Sequence, residues 1–153
     1  MTKPQIGAII EIPTRKGLAY AQYTHQHDQF GGLLRIFDEI LQTRPTEFST
    51  LIKGLVRFST FFPLRAAVRR GIFKVVAHAD VAPHNRSFPL FRAGNADPRT
   101  KRVAVWWLWD GEKAWRVGEL TSEQRSLPIK SVWNDTMLVK RIEEGWTPEQ
   151  DSR

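Results

Sequence analysis

No cysteine occurs anywhere in the 153 residues. Its lack excludes a disulfide framework, a thiolate zinc site, an iron–sulfur cluster and a cysteine nucleophile, and it suits a reducing compartment. Long apolar runs are lacking too. Nothing approaches the roughly 18 consecutive apolar residues that a membrane span needs. The first seven residues, Met1 to Gly7, hold no apolar segment and no small-residue cleavage site, so no secretory signal is expected and the expected location is cytoplasmic. There is no Gly-x-x-x-x-Gly-Lys-Ser/Thr phosphate loop, no Gly-x-Gly-x-x-Gly and no Gly-x-Ser-x-Gly. Internal repeats and low-complexity segments are absent as well. Together these gaps favour a binding module over an enzyme.

What is present is globular in kind. Hydrophobic residues make up 41% of the chain and aromatics 11%, with six Trp and nine Phe to fill a core. The length fits one ordinary domain spanning residues 1–153. The net charge is +7, and it is unevenly spread. Residues 44–102 carry twelve basic and three acidic side chains, whereas residues 1–43 carry four of each and residues 103–153 carry seven basic and nine acidic. A basic middle third can meet phosphates, anionic lipid or an acidic protein surface. Equally, its arginines can be spread over several solvated strand faces.

The pattern along the chain is mainly β. Residues 7–13 are apolar and β-branched and read as a strand closed by Pro13. Gly17 marks a turn needing positive φ, and residues 18–24 complete a hairpin. Residues 33–38 make a third strand. Residues 51–62 alternate in part and predict a strand whose even face is core. Pro63 and Gly71 bracket a short helix. Residues 73–78 predict another strand, and residues 82–98 a long irregular connection. Residues 103–109, rich in Trp, predict a central strand covered on both sides. Asp110-Gly111 is a tight-turn signal answered by a strand over residues 114–118. Residues 126–130 read as a short connector. Asn134 or Asp135 caps a helix running to Glu144, with Gly145 as its stop. The residues after Trp146 read as a frayed tail. The expected fold is α+β and mainly β: an antiparallel curved sheet or partly open barrel with a C-terminal helix.

Few groupings carry chemistry. His25 and His27 share one side of a strand beside Asp28, and His78, Asp80 and His84 form a second group. Neither has a known ligand spacing, and exposed loop or strand-end polarity explains both. The carboxylate pairs Asp38-Glu39 and Glu143-Glu144 do not suggest acid–base work, because adjacent strand residues face apart. Glu143 and Glu144 also sit against the helix dipole. No catalytic residue, cofactor or metal is expected. The strongest signal is basic–aromatic interleaving: Arg57, Phe58, Phe61, Arg65, Arg69, Arg70, Phe73 and Lys74, then Arg86, Phe88, Phe91, Arg92, Arg99, Lys101, Arg102 and Trp106. Such residues on a small β domain can stack bases and hold phosphates. Alternatively the aromatics are core and the arginines solvated.

Three stretches carry a family resemblance. They are Ile6-Gly7-Ala8-Ile9-Ile10-Glu11-Ile12-Pro13 with Gly17-Leu18-Ala19-Tyr20-Ala21-Gln22-Tyr23, then Gly32-Leu33-Leu34-Arg35-Ile36-Phe37-Asp38, and finally Leu127-Pro128-Ile129 with Asn134, Leu138, Ile142 and Gly145-Trp146. In order along most of the chain, they resemble the bacterial family called immunity protein 26. The resemblance implies a mainly β cytoplasmic antitoxin of a polymorphic toxin system, one that binds and blocks a toxin domain without chemistry of its own. It carries over no functional residue. One departure stands out: immunity proteins against nucleases are often acidic, and this chain is basic. The expected partner is a cognate protein toxin domain, with nucleic acid as the alternative and no membrane. The partner-binding residues expected are Arg57, Arg65, Arg69, Arg70 and Lys74, which combine charge with neighbouring exposed-edge positions in an interface anchored by Arg and aromatic residues.

Overall fold

The computed structural model describes residues 3–153. The first three strands form a meander: β1 (Ala8–Thr14), β2 (Gly17–His27) and β3 (Gly31–Leu41). Their β-branched and aromatic residues favour a pleated, buried surface. The β1–β2 turn is held by the Thr14 hydroxyl, which donates to the Gly17 carbonyl at 2.8 Å and accepts the Lys16 N–H at 3.1 Å. Gly17 has φ +131°, and a Cβ there would stand 2.8 Å from the Leu41 carbonyl oxygen, so the expected glycine role holds. β4 (Val56–Phe62) joins β3, and β5 (Lys74–His78) joins β1. The result is an antiparallel sheet of order β4-β3-β2-β1-β5. It stays open, with β4 and β5 as its edges, so no barrel is closed.

Each face of this sheet is covered by different chain. Ala8, Ile10, Ile12, Ala19, Ala21, Leu34, Ile36, Phe58 and Phe62 pack beneath α2 (Leu64–Arg69) and α3 (Asp135–Glu144). On the other face Ile9, Tyr20 and Phe37 pack against Phe48 and Leu51, the latter on the single turn α1 (Ser49–Ile52). Farther along that face Leu33 and Phe61 meet Phe91 and Trp109 of a second sheet. Two expectations are corrected here. Leu51 belongs to a helical turn, which ends where the Gly54 N–H returns to the Leu51 carbonyl at 3.0 Å. And β4 is buried on both faces, Phe61 as fully as Phe62, because the second sheet covers its odd positions.

That second sheet consists of β6 (Phe91–Ala93), β7 (Trp106–Trp109) and β8 (Ala114–Gly118), with β7 in the middle. Asp110 closes the β7–β8 turn by accepting the N–H groups of Glu112 (2.9 Å) and Lys113 (2.7 Å). β7 is central, as expected, but not covered on both sides. Trp107 remains 42% exposed, because the short sheet runs past the chain that buries Trp109. The supposed connector over residues 126–130 also pairs: Pro128 accepts the Arg92 N–H and Arg92 accepts the Lys130 N–H, each at 2.9 Å. Just beyond it, the Trp133 N–H reaches the Phe61 carbonyl at 3.1 Å, so this stretch stitches the two sheets together.

The ends of α3 follow the sequence signals. Asn134 accepts the Met137 N–H at 2.7 Å, and Gly145 takes the left-handed conformation at φ +67°. Leu138 and Ile142 are the buried stripe. The tail is not frayed. Trp146, Pro148 and Asp151 are buried, and residues Pro148–Gln150 form a 3-10 turn. Aromatic packing of Trp146 on Phe58 and Trp133 fixes this stretch.

Candidate functional site

The helix α2 places a group of uncommitted cations on one exposed face. Leu64, Ala67 and Val68 are its buried face, which leaves Arg65 and Arg69, four residues apart, side by side on the outer one. Arg70 follows at its C-cap, also exposed. Among the described residues none of Lys3, Arg65, Arg69 and Arg70 enters an ion pair.

A cavity of about 420 Å³ opens beside α2, between Lys3-Pro4, the β2–β3 turn and the end of β4. Its floor is apolar: the buried Tyr23, Phe62, Leu64 and Pro4. Lys3, Gln26, Arg65 and Arg69 stand around the mouth, and no carboxylate among the described residues lines it. The Tyr23 hydroxyl donates to Gln26 Oε1 at 2.5 Å, which turns the Gln26 amide nitrogen free as a donor. Burial pushes the Tyr23 phenol above its usual range, with the nearby Arg65 charge pulling the other way.

The five cations expected at an interface therefore do not form one patch. Arg65, Arg69 and Arg70 come together. Arg57 instead ties β3 and β4 to α3: it donates to Asp38 Oδ1 (3.0 Å), the Asp38 carbonyl (2.9 Å) and the Ile142 carbonyl (3.1 Å). Its side chain is only 14% exposed. Lys74 is exposed, but it lies on β5, the opposite edge of the sheet from Arg57, across from Glu11 of β1. Sequence reasoning missed Lys3, Tyr23 and Gln26, which become neighbours of Arg65 only through the fold. A Gly31-Gly32 turn beside an aromatic strand residue was the one available signal.

Most of the interleaved aromatics are core. Phe58, Phe61, Phe73, Phe91 and Trp106 are buried, so they offer no stacking platform. The exposed large rings are Trp107 and Trp115 on the second sheet, with Arg116 directly across from Trp107. Arg92 is fully buried. It donates to the carbonyls of Arg125 (2.8 Å) and Pro148 (3.0 Å) and lies over the Trp106 ring at 4.8 Å. Burial without a carboxylate partner pulls its guanidinium down to about 10.

Two of the four histidines, His25 and His27, are committed to structure. His25 Nε2 is 2.8 Å from the Arg86 carbonyl and His27 Nε2 is 2.8 Å from the Gly111 carbonyl, so both of these nitrogens carry hydrogen and cannot ligate a metal. His27 Nδ1 accepts the Gln29 N–H at 3.1 Å, and its ring packs among Phe30, Phe61 and Trp109. Burial lowers the His25 pKa, and the Arg35 charge adds to this against the Arg86 hydrogen bond. His78 and His84 are exposed. Among the described residues no group of three or more His, Asp or Glu could hold a metal ion. The carboxylates do not converge either. Asp38 pairs with Arg57, and Glu143 accepts the Arg15 N–H at 2.7 Å, which explains an acid at the end of α3. Glu11 sits buried between the Tyr20 hydroxyl (2.8 Å) and a two-pronged Arg44 (2.7 and 2.9 Å), and the Arg44 bonds hold its carboxyl below the usual range.

These features define a mainly β chain of two antiparallel sheets with a cation-rimmed cavity beside α2. No helix among the described residues is long and apolar enough to cross a membrane. No family model matches the chain, and no curated protein or solved structure is significantly similar to it.

Proposed function

We propose that this chain is a protein-binding module whose α2 surface docks an acid-bearing partner. In keeping with the resemblance to immunity protein 26, that partner is a bacterial toxin domain, neutralised in the cytoplasm by stoichiometric occlusion and not by catalysis. One observation carries this reading: Arg65, Arg69 and Arg70 stand exposed together, with no carboxylate answering them among the described residues. Arginine is the cation best suited to anchor an interface, because its planar fork grips carboxylates in two places. A stable complex would bury on the order of 800 Å² per partner around them. Wet rim contacts contribute about 0–1 kcal/mol each, whereas a desolvated central arginine contributes about 2 kcal/mol or more. A basic docking surface also fits a toxin whose contact face is acidic, and so accounts for the unusual charge of the chain.

The test is capture of the tagged chain's partners from native lysate with and without nuclease, then co-expression with any toxin domain recovered and titration of the purified pair. The expected result is rescued growth and a 1:1 complex, both lost in the R65E/R69E/R70E variant. Rescue that survives the triple reversal overturns the assignment to α2. Failure of the chain to protect, together with duplex binding that collapses steeply between 50 and 200 mM salt, replaces the reading with a nucleic-acid-binding one.

A further inference from the structure

The cavity beside α2 has a composition that a flat protein interface does not need. Its floor of Tyr23, Phe62, Leu64 and Pro4 is apolar and sits below the surface, while its mouth holds three cations, Lys3, Arg65 and Arg69, and the Gln26 amide. No acid among the described residues lines it. Its volume of about 420 Å³ falls within the range of small-molecule sites, about 300–1,000 Å³, but near the low end. An inorganic ion would satisfy the mouth and leave the floor wet. A neutral hydrocarbon would fill the floor and leave the cations unanswered. The ligand that matches both is a small organic anion with a flat apolar body and one charged head.

We propose that this cavity is a binding site for such an amphipathic anion, with the body on Tyr23, Phe62 and Leu64 and a phosphate or carboxylate head between Arg65, Arg69 and Lys3. This goes beyond the partner reading and stands without it. Because Arg65 and Arg69 serve both, an occupied cavity competes with a docked partner.

Three probes separate the contributions: 1-naphthyl phosphate, inorganic phosphate and 1-naphthol, each titrated into the full chain while amide shifts of Gly31, Gly32, Arg65 and Arg69 are followed by NMR. The expected result is saturable 1:1 binding of naphthyl phosphate at these amides, at least tenfold tighter than either phosphate or naphthol. In R65Q/R69Q, whose substitutions lie on the exposed face and leave the remaining spectrum unchanged, that binding weakens at least tenfold. Equal affinity for phosphate and naphthyl phosphate overturns the proposal, since it reduces the site to surface charge. So does naphthyl phosphate binding that R65Q/R69Q does not weaken, or shifts confined to other residues such as Trp107 and Trp115.

Discussion

Arginines gather in two regions of this molecule to opposite ends. In the first, Arg92, Arg125, Arg141 and Arg153 surround the C-terminal turn. Arg92 and Arg125 donate to main-chain carbonyls, while Arg153 (2.8 Å) and Arg141 (3.8 Å) reach the buried carboxylate of Asp151. Arg141 also lies over Trp133 and Trp146. In the second, Arg65, Arg69 and Arg70 lie exposed along and just after α2 and enter no ion pair among the described residues. A guanidinium taken out of water must find acceptors, because an unmatched buried charge is costly. One left in water need not, and stays free to bind something else. The comparison shows that the basic character of the chain is split between structure and availability, and that residue type alone does not tell them apart.

The comparison breaks or sharpens under substitution. The largest effect is expected at Arg92. Replacing it with Ala orphans two carbonyls and leaves a void against Trp106, which costs about 3 kcal/mol in urea unfolding, whereas the volume-keeping R92M costs about half as much. Next is Asp151→Asn, expected to cost about 2 kcal/mol by removing the buried carboxylate that Arg141 and Arg153 reach. Burial alone would raise the Asp151 pKa, but the Arg153 hydrogen bonds and the Arg141 charge outweigh it and hold it below the usual range. A carboxyl lowered in the folded state contributes stability that is present above the unfolded value, near pH 4, and is lost as pH falls through the folded one. Melting temperature should therefore drop below about pH 4 in the wild type and drop less in D151N. Arg57→Ala, which cuts the tie between Asp38 and α3, should cost about 1–2 kcal/mol.

His25 gives a smaller and separable effect. Its pKa is lowered on folding, so its contribution is present above the unfolded value of about 6.5 and fades as pH falls below it. Thermal melts of the wild type between pH 7.5 and 5.5 should show this loss, and H25Q should flatten it. Smallest of all is Arg65→Ala, expected within about 0.5 kcal/mol of wild type because the side chain is solvated. An R65A cost equal to that of R92A would erase the distinction between the two regions.

Much of the local fold was legible. The turn at Gly17, the hairpin at Asp110-Gly111 and the caps at Asn134 and Gly145 all depend on residues adjacent in sequence, where turn chemistry is decisive. What was not legible depends on coverage from afar. Alternation in β4 identified two faces but could not say that Phe91 and Trp109 would bury the odd one. The polar tail looked free because nothing local marks Asp151 as the acceptor for Arg141 and Arg153. The site was half visible. Arg57, Arg65, Arg69, Arg70 and Lys74 were named from charge and neighbouring exposed-edge positions, a logic that could not foresee Arg57 bonding to Asp38 and the end of α3 while Arg65, Arg69 and Arg70 stay unpaired. Lys3, Tyr23 and Gln26 join Arg65 only when the N-terminal segment and the β2–β3 turn close over α2.

The most direct measurement is a paired one on R65E/R69E/R70E: its unfolding free energy and its affinity for the toxin domain captured by the wild-type chain. The account predicts an unfolding free energy within about 1 kcal/mol of wild type and an affinity at least 100-fold weaker. Unchanged affinity, or a loss of binding accompanied by an equal loss of fold stability, would contradict it.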